Sequence, residues 1–196
     1  MDAAARHHED VAMDATQLLG VAAVFVLAGA VKGITGMGLP TVAVSLLGLW
    51  MAPMQAAALL VLPSLATNVA QRVGPHWRAL LTRLWPAWLA LAVVTTTWPQ
   101  APSASGAQRT LGAMLVIYGL FGLWRPVLPD LSRTSGRHGR TIGALIGAAT
   151  ALVTVATAVF VMPLVPYLQA LRLDKDAMVQ ALGLSFTVAT LALALR

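Results

Sequence analysis

Charges divide the chain into long apolar stretches. Ala15–Val31, Gly33–Gln71, Leu84–Gln108, Thr110–Trp124, Thr141–Leu171 and Ala177–Leu195 contain no Asp, Glu, Lys or Arg. A helix needs about 20 apolar residues to cross the hydrocarbon core of a bilayer. Backbone groups in lipid must pair internally, so such runs are predicted to be helical. Gly33–Gln71 is too long for one span, and Pro53 with its neighbours Met51–Gln55 predicts a turn inside it. The predicted helices cover about 18–31, 39–50, 55–71, 83–98, 107–124, 141–156, 158–171 and 177–195. Pro99–Gly106 reads as a polar turn, and 125–140 as a basic loop.

The stretch Gly29-Ala-Val-Lys-Gly-Ile-Thr-Gly-Met-Gly-Leu-Pro40 holds four Gly and a Pro in twelve residues. Such a segment holds a regular helix poorly, which predicts a broken helix around Lys32. At a constant offset of 118 residues, Gly29, Gly33, Gly36 and Gly38 match Gly147, Ala151, Thr154 and Ala156, all small. After a four-residue insertion near Val165–Leu168 the offset becomes 122, and Leu49, Leu62 and Asn68 match Leu171, Leu184 and Thr190. An internal repeat with a second break near Thr154 and Thr157 is expected.

Composition strengthens the membrane reading. The hydrophobic fraction is 58%, the charged fraction 10% and the mean hydropathy +0.77. Soluble domains carry about 25% charged residues. The net charge of +6 does not point to nucleic acid, because the basic residues sit in short segments between apolar runs with no aromatic-interleaved basic patch. Without cysteine there is no disulfide or thiol nucleophile. The four His all lie outside the apolar runs, and neither a metal nor a cofactor is expected. The acidic-leaning N-terminus lacks the pattern of a secretory signal, so the first apolar run is expected to persist in the mature protein.

Basic loops face the cytoplasm. Arg72, Arg78 and Arg83 place 72–83 inside, and Arg125, Arg133, Arg137 and Arg140 do the same for 125–140. Helix 55–71 then runs inward. Helix 177–195, preceded by Arg172 and Lys175, runs outward. Repeat partners of opposite direction define an inverted repeat. The organisation expected is a polar segment over 1–16, a first transmembrane repeat over 17–125, a basic cytoplasmic loop over 126–140 and a second repeat over 141–196. The second repeat ends after its third element, two helices short of the first.

Lys32 carries the sharpest chemical signal, as the only charge between Asp14 and Arg72. A charge at mid-membrane costs roughly 2.5–3.5 kcal/mol on insertion scales, so it usually meets a partner or a cavity. The apolar runs offer no carboxylate, which leaves an anionic substrate; the bland alternative is snorkelling to the interface. The helix beginning at residue 39 would present an N-terminus favourable to anions. Asn68 and Gln71 share a helix face. Gln180, Ser185, Thr187 and Thr190 supply polar groups on the partner helix, and Thr154 and Thr157 on the second break; interhelical packing is the alternative role for all of them. Trp50, Trp77, Trp85, Trp98 and Trp124 lie near predicted helix ends, as an interfacial belt would. Catalysis has no support in a buried carboxylate pair, a membrane His or a Ser/His/Asp set.

These stretches resemble the TauE/SafE sulfite-exporter family of membrane transporters. The resemblance lies in Gly29–Thr41, in Ala56–Gln71 with its Leu-Pro-Ser-Leu-Ala-Thr-Asn-Val-Ala-Gln ending, in Val159–Leu171 and in Gln180–Thr187. It implies an all-α, polytopic inner-membrane transporter of two related halves. It also implies small anionic substrates, often sulfur-containing, such as sulfite, thiosulfate or sulfonates. The substrate-binding set carried over is Lys32, Gly33, Thr35, Gly36, Gly38, Pro40, Asn68, Gln71, Thr154, Pro163, Gln180 and Ser185. Ala151, Thr154 and Ala156 stand where the family has its second Gly-rich break. The expected function is alternating-access transport of a small anion through a lipid bilayer, with a homo-oligomer as an open possibility. The alternatives are a membrane scaffold using its small-residue faces for packing, or an inactive fragment of a transporter.

Overall fold

The computed structural model describes residues 15–36, 38–98, 104–124 and 126–195. The polar N-terminal segment up to residue 14, most of the Pro99–Gly106 turn and Arg125 lie outside the described residues. The described residues form helices without strands: α1 (Ala15–Thr35), α2 (Leu39–Leu47), α3 (Pro53–Arg72), α4 (Trp77–Thr97), α5 (Ala104–Trp124), α6 (Gly136–Thr157), α7 (Leu164–Ala170) and α8 (Lys175–Ala194). Among them α1, α3, α4, α6 and α8 are each long and apolar enough to cross a membrane.

Local chemistry explains the boundaries. Pro53 opens α3, where its missing N–H costs nothing, and the Gln55 side chain accepts from the Ala52 N–H at 3.2 Å. Asp174 caps α8 by accepting from the Ala177 N–H at 2.8 Å. Helix α1 stops at Gly36, whose φ of 75° is left-handed and whose N–H donates to Lys32 O at 2.8 Å. Gly38 follows with φ 99°, and Pro40 stands in the first turn of α2.

This corrects the expected extent of the first break. Gly29 and Gly33 are helical and a Cβ at either would meet nothing within 4 Å. The interruption therefore begins at Gly36, and Lys32 sits in the last turn of α1. The second break moves as well. Ala151, Thr154 and Ala156 are helical, and α6 ends at Thr157. Ala158 takes the left-handed position at φ 59°, and its N–H donates to Thr154 O at 2.7 Å. Residues 158–163 are irregular where a helix was expected, and the short α7 follows.

An offset of 122 residues carries the bounds of α3, Pro53–Arg72, onto those of α8, Lys175–Ala194, and Thr35 and Gly36 onto Thr157 and Ala158. Each set is a long helix, a left-handed stop, a short helix and a second long helix. Several helices begin earlier than expected, α5 at Ala104 inside the predicted turn, and most of all α4 at Trp77 and α6 at Gly136, because arginines at a membrane interface do not interrupt a helix.

The interior is built across the two sets. Helix α3 packs on α8, and α4 on α6 and α8. The pairing of α3 with α8 is antiparallel: Gln71 lies against Gly183, while Ser64 lines a cavity with Thr190. Leu84, Leu91, Leu164, Leu168, Leu182 and Phe186 fill the core. Two glycines permit backbone-to-backbone approach. A Cβ at Gly147 would stand 2.0 Å from Ala87 O, and one at Gly183 would stand 2.8 Å from the Gln71 carbonyl carbon.

The surface is as apolar as the core, and a few polar side chains are buried within it. Large apolar side chains face outward, with Leu62 79% exposed, while Lys32, Ser64, Asn68, Thr154, Gln180 and Thr190 are buried. A lipid surround accounts for both halves of that pattern. The basic segments converge at one end of the bundle. The Arg83 guanidinium donates to Leu131 O at 2.9 Å and Ser132 O at 2.7 Å. The Leu131 N–H donates to Ala170 O at 2.8 Å, and Arg172 reaches Leu128 O at 3.4 Å.

Candidate functional site

Lys32 is 4% exposed. Its ammonium donates to Thr67 Oγ1 at 2.8 Å and to Asn68 Oδ1 in a short contact. Both acceptors are neutral. Among the described residues Lys32 is the buried charged side chain, and no carboxylate pairs with it. A snorkelling lysine would place its head in water, whereas this one turns into α3. Part of its compensation is the C-terminal end of α1, where the helix dipole favours a cation. The arrangement leaves Asn68 Nδ2 buried and without a partner, a donor beside a cation.

Gln71, one turn further along α3, donates Nε2 to Gly36 O at 2.7 Å. This bond ties the break to α3, while Gln71 Oε1 stays unpartnered. Four residues before Asn68, Ser64 presents a buried Oγ without a partner. Ser64 and Thr190, whose Oγ1 is also unpartnered, line a cavity of about 10 Å³ together with Pro40 of α2 and Ala158 of the second break. A water needs roughly that volume. The cavity thus lies between the two interruptions. At the 122 offset Asn68 corresponds to Thr190, and Lys32 to Thr154, so equivalent positions are polar and buried in both sets.

The structure therefore brings Lys32, Gly36, Asn68 and Gln71 into one cluster and places Pro40 beside it. Gly38, with left-handed φ, completes the turn between α1 and α2. Gly33 is exposed on the outer face of α1. Thr35 is exposed and donates to Val31 O at 2.9 Å. Thr154 donates back to Thr150 O at 2.8 Å within α6. Pro163 precedes α7, half-buried.

Gln180 and Ser185 have partners of their own. Gln180 donates to Arg72 O at 2.8 Å and Gly74 O at 2.9 Å, and accepts from the His76 N–H at 3.0 Å, pinning the α3–α4 turn to α8. Ser185 Oγ accepts from Trp88 Nε1 at 2.9 Å. Ser64 and Thr67 are the cluster members absent from the sequence-derived set. Ser64 shares the Asn68 face at four-residue spacing, which is the signal that points to it. No group of three His, Cys, Asp or Glu able to hold a metal exists among the described residues.

A helical bundle with an apolar exterior, a cluster of buried polar groups, two interrupted helix pairs and a buried unpaired cation is the architecture of a multi-pass membrane transporter. A family model described as sulfite exporter TauE/SafE matches residues 21–196, and the chain belongs to that family. Comparison with curated proteins and with solved structures yields no match. The family is one of membrane transporters, so the chain's surroundings are a lipid bilayer and its partner a small substrate.

Proposed function

We propose that the chain moves a small sulfur-containing oxyanion, of the sulfite, thiosulfate or sulfonate class, across the inner membrane by alternating access around its two helix breaks. The observation that carries this reading is the Lys32 ammonium, buried and held by neutral groups alone, beside the unpartnered Asn68 Nδ2. Excess positive charge in a low-dielectric interior favours an anion. A cationic head, an amide N–H donor and the Ser64 and Thr190 hydroxyls suit an oxyanion with several acceptor oxygens. The two element sets form an inverted repeat in this reading, supported by the shared offset and the antiparallel packing of α3 on α8. The end gathering Arg83, Arg133 and Arg172 faces the cytoplasm, following the bias of basic residues.

The test is flux of sulfite and thiosulfate in proteoliposomes. Lys32→Met is expected to lower flux by about tenfold or more, the scale of one charge-assisted hydrogen bond. Unchanged flux in a folded Lys32→Met protein would remove the proposed role.

A further inference from the structure

A second polar cavity lies at the basic end of the bundle, apart from the Lys32 cluster. It measures about 270 Å³ and lies between α4, the segment before α6, the first turn of α6, and α7. Four features of its wall are complementary to one kind of ligand. The first is the Arg83 guanidinium, held in place by the carbonyls of Leu131 and Ser132. Two carbonyl bonds orient the group without cancelling its charge, and among the described residues no carboxylate pairs with it. The second is Arg140, one turn into α6 and exposed toward the same space.

The third is the start of α6 itself. Its N-cap residue Ser135 makes no side-chain capping bond, and the first turn holds no acidic residue. The first amides of a helix lack intrahelical partners and attract negative charge. Here Arg137 and Arg140 stand where the helix dipole favours acids, so the positive end is left uncompensated by the chain. Gly139 keeps the backbone close, since a Cβ there would lie 2.9 Å from Thr134 O.

The fourth is Tyr167. It is only 6% exposed and lines the cavity, and its hydroxyl forms no hydrogen bond among the described residues. The ring is buried while the hydroxyl opens into the cavity, where a ligand can bond to it. Positive loops at a cytoplasmic membrane face explain arginines in general. They do not explain a tyrosine hydroxyl that opens into the same space as an anchored guanidinium and bare helix amides. Asp130 is the nearby acid, and its carboxylate accepts from the Ser132 N–H at 2.8 Å.

We infer that Arg83, Arg140, Tyr167 and the first turn of α6 form a binding site for a phosphate-class oxyanion. The same chemistry is offered by the headgroup of an anionic phospholipid and by soluble phosphate. The lipid arm uses the full chain in nanodiscs of phosphatidylcholine with and without phosphatidylglycerol, reading the melting temperature and lipid retained in native mass spectrometry. The soluble arm measures inorganic phosphate binding to the same nanodiscs by calorimetry.

Wild-type protein is expected to bind saturably in at least one arm. Arg140→Gln is expected to weaken that binding by about tenfold or more, as loss of a charge-assisted hydrogen bond does. Tyr167→Phe, which keeps the ring packing, is expected to weaken it several-fold. Arg133→Gln, an exposed charge outside the cavity, serves as control and leaves binding unchanged. Binding in the lipid arm alone assigns the site to a headgroup, and binding in the soluble arm assigns it to a free oxyanion. Absence of binding in both arms, or equal binding by wild type, Arg140→Gln and Tyr167→Phe, overturns the assignment. Arg140 is exposed, so its replacement tests the site without risk to the core.

Discussion

Gly147 of α6 rests directly on the backbone of Ala87 in α4, with the Ala87 carbonyl oxygen 2.0 Å from where a Cβ would be. No rotamer change can relieve an overlap with backbone. Gly147→Ala is therefore expected to force α4 and α6 apart, costing about 2 kcal/mol or more, in the range of overpacked cores. The measurement is the detergent melting temperature, with Gly112→Ala as control because a Cβ at Gly112 meets nothing within 4 Å. Equal melting temperatures for the two variants would refute the packing argument.

Ser64 and Thr190 bury hydroxyls that find no hydrogen-bond partner among the described residues. An unpaired buried polar group costs about 1–3 kcal/mol. Ser64→Ala and Thr190→Val should hold or raise the melting temperature, while lowering anion flux if the hydroxyls meet substrate. A variant that melts higher and transports as well as wild type would assign that hydroxyl no role in transport.

Gly36 and Ala158 share a left-handed backbone at equivalent positions, φ 75° and 59°. Left-handed backbone costs an L-residue about 1–2 kcal/mol. Gly36→Ala is expected to destabilise by about that amount, while Ala158→Gly is expected to be tolerated or mildly stabilising. Chemical denaturation of both variants checks the pair. A stable Gly36→Ala would show that the break does not depend on this backbone geometry.

Gln180 makes three hydrogen bonds to the backbone of the α3–α4 turn. Gln180→Leu leaves those buried groups without partners and is expected to cost about 1–3 kcal/mol per orphaned group. If the residue pins the turn, flux per folded molecule survives while folded yield falls. Normal yield with lost flux would place Gln180 against the substrate instead.

Hydrogen bonds from the Ser132 side chain and backbone, aided by Arg172, hold the exposed Asp130 carboxyl below its ordinary value. A depressed pKa means that the ionised form supports the folded loop. That support is complete above the ordinary carboxylate value of about 4 and is lost as pH falls through the lowered one. An NMR titration should place the Asp130 midpoint below about 4, and Arg172→Gln should raise it. A midpoint insensitive to Arg172 would remove its electrostatic part.

Helix existence was legible because charge-free runs of spanning length leave little alternative in lipid. Helix ends were less so. Arg78 and Arg83 lie inside α4 and Arg137 inside α6, since interfacial charges extend into water without breaking the backbone pattern. The first break was legible only in part, because four glycines mark flexibility and just two of them, Gly36 and Gly38, take left-handed φ. The second was expected near Thr157 and begins one residue later, because Ala158 performs a glycine's task without a glycine's signature. Lys32 and Asn68 stood out as polar groups in apolar surroundings. Their mutual bond depends on where α1 ends against α3, which no local pattern encodes.

Gly147 on Ala87 and Gly183 on Gln71 bring main chain against main chain between helices, α6 on α4 and α8 on α3. Side chains can slide past one another, but main chains at this distance cannot translate without colliding. Relative motion at these two contacts is therefore easier as a tilt than as a slide along the helix axes.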